Sequence, residues 1–213
     1  MHNVCQPTEK VLRTAFIKKE ILSFQPLKEW KPISLIEPAH DGKGAIYLGA
    51  IPNPEIDLIV PSYDVSYTPH SYVTDYQLGL VISALEHNPR WTVNVRHHLI
   101  TINDEEIAPL SKHFESVADL IDAAVQSGTN MLIHCRMGIS RSPSLLTAYY
   151  LKFGLPDGNR YPTLEQVFAF LRQKRKCISP NTGFILQLLD FEKSLERVIK
   201  QTPEPSTPDS TSN

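Results

Sequence analysis

The chain is poor in cysteine, carries little net charge and has no long apolar run. Its three cysteines, Cys5, Cys135 and Cys177, are too few for the disulfide framework of a small secreted domain. A formal net charge of −2 argues against a generic nucleic-acid binder. No apolar run reaches the roughly 20 residues of a transmembrane helix, and no secretory signal core is present. We therefore expect an intracellular protein without a membrane span or a nucleic-acid partner, in the cytoplasm, with the nucleus left open.

Length and composition predict one globular domain with flanking segments. The chain has 213 residues, and a hydrophobic content of 41% suffices for a core. Residues 1–42 contain scattered prolines and one helix-like patch, so we expect a partly ordered N-terminal extension, with a disordered arm as the alternative. Residues 43–200 form the domain itself. Residues 201–213 lack apolar anchors and are expected to form a disordered tail.

Hydrophobic periodicity predicts strands and helices in alternation. Strands are expected over Ile56–Val60, Leu80–Leu85 and His98–Ile102. Helices are expected from a Ser111 cap to a stop at Gly128, from a Thr163–Gln166 capping box, and from about Asn181 to Lys200. This alternation predicts an α/β fold in which a central sheet is covered by helices on both faces.

Two other segments are harder to interpret. Residues 61–75 have poor periodicity and are expected to form a loop, in which Tyr63, Tyr67 and Tyr72 are candidates for a pocket rim. An ordinary surface insertion is the alternative. The cations from Arg172 to Lys176 are expected at a solvated helix end, with an acidic partner or lipid headgroups as the alternative.

The most informative segment is HCRMGISRS, residues 134–142. It follows the apolar run Met131–Ile133, which predicts a buried strand, and it precedes a helical segment with Pro143 in its first turn. A glycine-containing loop between a strand and a helix directs backbone N–H groups toward one point at the helix N-terminus. Such a concavity binds anions. The segment therefore predicts a phosphate site.

The side chains of this segment suit phosphate chemistry. An unperturbed cysteine has a pKa of about 8.5, and the helix N-terminus, the N–H groups and Arg141 would all favour a Cys135 thiolate. The Arg141 guanidinium can hold two phosphate oxygens. Gly138 can adopt a backbone conformation that residues with a side chain rarely adopt. The Ser142 hydroxyl can stabilise a departing thiolate. His134 is expected to orient the loop. The alternative is a chance combination around an inert buried cysteine.

The segment resembles the signature loop of the cysteine-dependent protein phosphatases, and its Ser-Arg-Ser ending is most similar to the dual-specificity branch. Other segments follow the order of that family, and together they cover residues 44 to 197: Ile46–Gly49, Leu78–Ile82, Ile102–Asp104 and Ser179–Leu189. The resemblance implies that residues 43–200 are a dual-specificity phosphatase catalytic domain. It also implies a mostly parallel sheet, with the phosphate-binding loop between a buried strand and a helix.

The resemblance also implies which residues act. Asp104, 31 residues before Cys135, matches the family's general acid; Glu105 and Glu106 are adjacent competitors, and a merely solvated acidic loop is the alternative. Catalysis is assigned to Cys135, Arg141, Asp104 and Ser142. Asn181 would support the loop together with His134, or simply cap a helix. The substrate phosphate would be bound by Arg136, Met137, Gly138, Ile139, Ser140 and Arg141.

The implied activity is hydrolysis of phosphotyrosine and phosphoserine or phosphothreonine through a cysteinyl-phosphate, without metal or organic cofactor. Residues 159–161, Asn-Arg-Tyr, follow the cysteine instead of preceding it, so they are not expected to deepen the pocket. The expected partner is a phosphoprotein substrate, and the oligomeric state is open, with a monomer expected. The alternatives are a non-protein substrate, such as a phosphoinositide or an RNA 5′ triphosphate, and a non-catalytic phosphate-recognising scaffold.

Overall fold

A computed structural model describes residues 8–22, 31–51, 69–89 and 94–201, and within them five strands form one sheet. The spatial order is β1-β2-β5-β3-β4; β1 is antiparallel to β2, and the other neighbours are parallel. The mostly parallel sheet predicted from the sequence is therefore confirmed. The strands are β1 Ile33–Glu37, β2 Ile46–Ala50, β3 Leu80–Leu85, β4 Arg96–Thr101 and β5 Met131–Cys135.

Helices lie on both faces of this sheet, as expected. The larger core cluster joins one face to the π-turn that continues α1 and to helices α3, α4, α5 and α6, and the smaller cluster joins the other face to α2. Strand residues alternate between the two clusters, because successive side chains of a strand point in opposite directions. The helices are α1 Glu9–Phe16, continued by a π-turn Ile17–Ile21, α2 Pro69–Asp75, α3 Phe114–Gln126, α4 Arg141–Phe153, α5 Leu164–Lys174 and α6 Thr182–Gln201.

Helix α4 is the central helix of the larger core, and residues 141–151 are all buried. Its buried hydroxyl groups are satisfied within the helix, since Ser144 donates to the Ser140 carbonyl and Thr147 to the Pro143 carbonyl. The helix ends at Gly154, whose φ is +92°. This buried helix fixes the position of the loop before it.

Several local predictions are confirmed and two are corrected. The strand Leu80–Leu85 and the Thr163–Gln166 capping box are present. Ser111 does not cap α3: it lies in a 3₁₀ turn, Leu110–His113, and its N–H donates to Gln187 Oε1 at 2.7 Å. Residues 69–75 form a helix rather than a loop, and Tyr72 is fully buried in the smaller core. The predicted strand Ile56–Val60, the rim candidates Tyr63 and Tyr67, and residues 202–213 lie outside the described residues.

Residues before position 43 contribute an edge strand and a helix. Strand β1 pairs with β2, and Arg13 of α1 forms ion pairs with Glu165 of α5 and Glu192 of α6, both at 2.7 Å. Glu192 is 6% exposed, and its carboxylate also accepts the Leu164 N–H at 2.7 Å. The Arg13 side chain therefore compensates a buried charge at the contact between α1 and the rest of the domain.

We expect Arg13→Met to lower the free energy of unfolding by about 2 to 3 kcal/mol, because it leaves Glu192 buried without its cation. Urea denaturation near pH 7 measures the loss. Lys10→Met is the matched control: it removes the exposed pair with Asp190, and should cost less than about 1 kcal/mol. Equal losses in the two variants would contradict the assignment.

The effect of Arg13→Met should also depend on pH. Burial raises the pKa of Glu165, but the hydrogen bond and charge of Arg13, together with hydrogen bonds from the Glu165 N–H and Thr163, outweigh burial and leave the pKa below its usual range. A depressed folded-state pKa contributes stability above the unfolded-state pKa of about 4.3, and this stability is lost as the pH falls. The difference in unfolding free energy between wild type and Arg13→Met should therefore narrow below about pH 4.

Candidate active site

The segment 134–142 lies at the carboxyl ends of the parallel strands. Cys135 is the last residue of β5, and Arg141 is the first residue of α4. The ends of β3 and β4 lie at the same edge of the sheet, because both run parallel to β5 within it. Ligand sites in open α/β sheets are found at this edge. The fold therefore places the residues that follow β3 and β4 next to the segment 134–142, which begins at the end of β5.

Cys135 is 1% exposed, and its sulfur accepts a hydrogen bond from the Ser142 hydroxyl at 3.2 Å. Burial alone raises the pKa of this thiol. The charge of Arg141 and hydrogen bonds from the Ser142 hydroxyl and the N–H groups of Ser142 and Ile139 outweigh burial, so the pKa lies below its ordinary value. The thiolate is the nucleophilic form of cysteine. The site therefore favours a reactive Cys135.

The Arg141 guanidinium has hydrogen-bond acceptors at one nitrogen, whereas another nitrogen is buried without one in the described ranges. Its Nη1 donates to Glu86 Oε1 at 2.8 Å and to the Ile102 carbonyl at 3.1 Å. Its Nε is buried and, among the described residues, has no hydrogen-bond acceptor; Asp104 Oδ2 lies 3.6 Å away. An unsatisfied buried donor on a fixed guanidinium suits an anionic oxygen. The side chain is thus oriented before any phosphate arrives.

Glu86 was not identified from the sequence. It directly follows β3, and in a parallel sheet that position lies beside the end of the strand that carries Cys135. Burial raises the pKa of Glu86, but the Arg141 hydrogen bond and the nearby charges of Arg141 and Arg136 lower it below its usual range. An acidic residue directly after a predicted buried strand was the signal that could have revealed it.

Gly138 has the special conformation that the sequence predicts for it. Its φ is +66°, and a Cβ atom there would lie 2.5 Å from the Gly49 carbonyl oxygen and 2.7 Å from Arg175 Nη2. Any other residue would push the loop away from β2 as well as strain the backbone. The glycine therefore allows the loop to pack directly on the sheet.

Arg175 supports the phosphate loop and departs from the predicted solvated helix end, whereas Lys174 and Lys176 are exposed as predicted. The Arg175 side chain is 3% exposed, and it donates to the carbonyl groups of Gly138 at 2.9 Å and Met137 at 3.0 Å. Its Nη1 donates to the Lys31 carbonyl at 2.7 Å and to the Ser34 hydroxyl at 3.1 Å. Because these bonds fix two carbonyls of the loop, they also fix the peptide planes that present its N–H groups.

We expect Arg175→Met to lower the free energy of unfolding by about 3 kcal/mol, since several buried carbonyls would lose their donor at once. Urea denaturation measures this loss. Lys174→Met, an exposed position one residue earlier, is the control and should stay within about 0.5 kcal/mol of the wild type. A comparable loss in the control would remove the special role of Arg175.

Asp104 reaches the site, whereas the adjacent acids Glu105 and Glu106 are exposed. Its Oδ1 accepts hydrogen bonds from Ser140 Oγ at 2.6 Å and Asn181 Nδ2 at 2.8 Å, and its Oδ2 is the oxygen near Arg141 Nε. Since Oδ1 already accepts two donors, a proton on this carboxyl would reside on Oδ2. Glu105 is exposed and accepts a hydrogen bond from Asn103 at 3.2 Å. The geometry favours Asp104 as the proton donor, although its catalytic role stays a prediction.

Helix α6 fixes the loop that carries Asp104. Asn181 Oδ1 also accepts the Phe184 N–H at 2.9 Å, as in a helix cap, while its side-chain amide supports Asp104 and its backbone N–H donates to Ser140 Oγ of the phosphate loop at 3.2 Å. Gln187 donates to the Ala108 carbonyl at 2.9 Å. A Cβ atom on Gly183 would overlap the Glu106 carbonyl. The acid is therefore held in place by direct packing.

The remaining predicted residues occupy the loop as expected. His134 is fully buried; its Nδ1 donates to the Cys135 carbonyl at 3.3 Å, and burial lowers its pKa to about 3, so its ring is neutral. This suits an orienting role. Ser140 is buried, Met137 and Ile139 are half-buried, and Arg136 is exposed. Arg136 borders a cavity of about 370 Å³ that extends along residues 85–89.

Two absences apply to the part of the chain that the structure covers. No group of three or more histidine, cysteine, aspartate or glutamate side chains is arranged to hold a metal ion there. Within the same ranges, no helix has the length and apolar character to cross a membrane.

The Asn-Arg-Tyr string at 159–161 lies far from the site, as the sequence suggests. It follows the far end of α4, whose 13 residues extend about 20 Å from Arg141. Asn159 instead contacts Gln166 at the start of α5. The string therefore cannot form a wall of the phosphate pocket.

Comparison with known proteins agrees with this site. Residues 63–194 match the model of the dual specificity phosphatase catalytic domain. Human dual specificity protein phosphatase 5 is 31% identical over 155 residues, which are 70% of this chain but 38% of that protein. Dual specificity protein phosphatase 1 of Arabidopsis thaliana is 30% identical over 151 residues, 71% of this chain and 67% of that protein.

Similarity of fold extends to solved structures. The crystal structure of human DUSP28 superposes with a TM-score of 0.60 at 21% identity, covering 82% of this chain and 99% of that one. The family match spans more than half of the chain and contains the cysteine, the arginine and the aspartate of the site. The chain therefore belongs to the dual specificity phosphatase family.

Proposed function

We propose that the protein is a cysteine-dependent protein phosphatase that hydrolyses both phosphotyrosine and phosphoserine or phosphothreonine. The observation that carries this proposal is the pairing of a buried, low-pKa Cys135 with a fixed Arg141 that has an unsatisfied donor. A nucleophile and a positioned guanidinium are the two groups that phosphoryl transfer to sulfur requires.

In the first step, the Cys135 thiolate attacks phosphorus in line with the leaving oxygen. A sulfur–phosphorus bond forms as the bond to the substrate oxygen breaks, and Asp104 gives its proton to that oxygen. Arg141 and the loop N–H groups stabilise the charge on the transferring group. Because Glu86 holds the far side of the guanidinium, the arginine needs little reorganisation to do this.

In the second step, water attacks the cysteinyl-phosphate. Asp104, now deprotonated, accepts a proton from this water, and inorganic phosphate leaves together with the Cys135 thiolate. The Ser142 hydroxyl, 3.2 Å from the sulfur, stabilises that thiolate as it forms. The two steps restore both residues, and no metal or organic cofactor takes part.

A phosphoprotein substrate is favoured by what the family resemblance implies for the pocket. Residues 159–161 follow the far end of α4 and do not deepen the pocket, and the resemblance then implies a shallow pocket that admits phosphoserine and phosphothreonine as well as phosphotyrosine. The loop interior carries one cation, Arg136, and two apolar residues, Met137 and Ile139. This composition gives less charge for a polyphosphorylated lipid headgroup than for a single phosphate on a peptide.

The test compares substrates with the full chain in reductant and EDTA. Phosphotyrosine and phosphothreonine peptides should both release phosphate, at rates at least tenfold above those for a phosphoinositide or an RNA 5′ triphosphate. A preference for either non-protein substrate would overturn the protein-substrate assignment. A folded, reduced protein that turns over none of them, but binds phosphopeptide, would indicate a scaffold.

A further inference from the structure

A line of hydrogen bonds leads from strand β4 to the backbone of Cys135. His97 Nε2 lies 2.8 Å from Ser83 Oγ, and Ser83 Oγ lies 2.6 Å from His134 Nε2. His134 Nδ1 lies 3.3 Å from the carbonyl oxygen of Cys135. Ser83 and His134 are fully buried, whereas His97 is half-buried at the outer strand of the sheet. The three side chains come from three neighbouring strands.

The direction of each bond follows from the chemistry of its atoms. A carbonyl oxygen only accepts, so His134 Nδ1 carries a hydrogen and donates to Cys135. Because the buried His134 ring is neutral, its Nε2 is an acceptor, and the single hydrogen of the Ser83 hydroxyl must point to it. The Ser83 oxygen can then only accept from His97, whose Nε2 is the donor. The three hydrogen bonds therefore have one consistent direction, from His97 toward the Cys135 carbonyl.

The end of this line is a peptide plane of the phosphate loop. The Cys135 carbonyl accepts a second hydrogen bond, from the Ile51 N–H at 2.9 Å. The same peptide plane carries the N–H of Arg136, the first amide after the nucleophile. Rotation of the plane would move both the Cys135 side chain and the N–H groups around its sulfur. Donors on the carbonyl oppose that rotation.

We propose that His97 is a positioning residue for Cys135, acting through Ser83 and His134 to hold the peptide plane that follows the nucleophile. This inference rests on the proposed function, in which Cys135 is the nucleophile. His97 orients the Ser83 hydroxyl toward His134, and His134 in turn orients its Nδ1 hydrogen toward the carbonyl. The effect is on the alignment of the thiolate rather than on substrate binding.

The first test replaces His97 with leucine, which removes the donor, and with glutamine, whose Nε2 hydrogens can replace it. The kcat for an aryl phosphate should fall about 3- to 10-fold in His97→Leu, as expected for the loss of one hydrogen bond, while KM stays within about twofold. His97→Gln should recover most of the loss. His98→Leu, at an exposed position of the same strand, is the matched control and should behave as the wild type.

A second readout does not depend on turnover. The rate of Cys135 alkylation by iodoacetamide reports the fraction of thiolate. In His97→Leu the midpoint of the pH dependence of this rate should move to higher pH, whereas in His98→Leu it should stay unchanged. This separates failure of the positioning role from failure of the proposed function. If the wild type alkylates at low pH but hydrolyses no phosphate, the proposed function fails and the positioning role can still be measured.

The decisive comparison is the double variant. Ser83→Ala interrupts the line, so His97→Leu should have no further effect on alkylation or kcat in a Ser83→Ala background. Additive effects would overturn the proposal, because they would place His97 outside the line. So would equal behaviour of His97→Leu and His98→Leu, or a loss in His97→Leu that glutamine does not recover although thermal melts show both variants folded.

Discussion

Cys135→Ser should abolish phosphate release, lowering kcat for an aryl phosphate by at least about 10⁴-fold, while the protein remains folded. A serine hydroxyl is a far weaker nucleophile than a thiolate, and Asp104, which enters the first step protonated, is not available to remove its proton. The surrounding donors lower the pKa of the Cys135 thiol and so favour the thiolate, whereas a serine hydroxyl in the same place ionises far less readily. Steady-state hydrolysis and a thermal melt of the same preparation measure the effect.

The matched control for this variant is Cys177→Ser. Cys177 is half-buried, and burial raises the pKa of its thiol, in contrast to the lowered pKa of Cys135. We expect Cys177→Ser to retain wild-type kcat, and low-pH alkylation by iodoacetamide to label Cys135 in preference to Cys177. Residual turnover in Cys135→Ser above a thousandth of wild type would mean that another residue forms the covalent intermediate.

The chemistry of the loop could be predicted from the sequence because it is local. The cysteine, the glycine and the arginine lie within one stretch of nine residues, and the strand before them and the helix after them decide where the loop N–H groups point. These features need no knowledge of distant parts of the chain. Asp104 is different, because its assignment as the general acid comes from the family resemblance, and only its position after an alternating strand is local.

The groups that hold the loop could not be predicted in the same way. In the sequence, Arg175 is one of several cations at a helix end. It becomes a buried donor only because the fold places the Gly138 and Met137 carbonyls, which are about 37 positions earlier in the chain, next to its side chain. Glu86 depends on the order of strands in the sheet, which periodicity does not determine. Ser111 has the residue type of a helix cap, but the Gln187 side chain takes its N–H and a 3₁₀ turn precedes the helix. Tertiary contacts decided each of these cases.

Asp104→Asn should lower the rate of phosphate release more strongly for substrates whose leaving group is more basic. For a phosphothreonine peptide, whose alkoxide is a poor leaving group, we expect a loss of about 10²- to 10³-fold, within the usual range for general acid catalysis. For an aryl phosphate with a strongly acidic phenol, the loss in the first step should be about tenfold or less, because that phenoxide leaves without protonation. The measurement is kcat/KM for a series of aryl phosphates that differ only in the pKa of the phenol.

The geometry makes this dependence specific to Asp104. Asparagine can still accept the hydrogen bonds from Ser140 and Asn181 through its carbonyl oxygen, so the loop that carries residue 104 should keep its position. The amide that replaces Oδ2, however, cannot act as the carboxylic acid that protonates the leaving group. Glu105→Gln, on the adjacent exposed acid, is the control and should show the shallow leaving-group dependence of the wild type. If Glu105→Gln instead acquires the steep dependence and Asp104→Asn does not, then the general acid is Glu105. If neither variant acquires the steep dependence, another group protonates the leaving group. The hydrogen bonds at Asp104 Oδ1 would then serve only to hold the Asp104 loop against the N-terminus of α6.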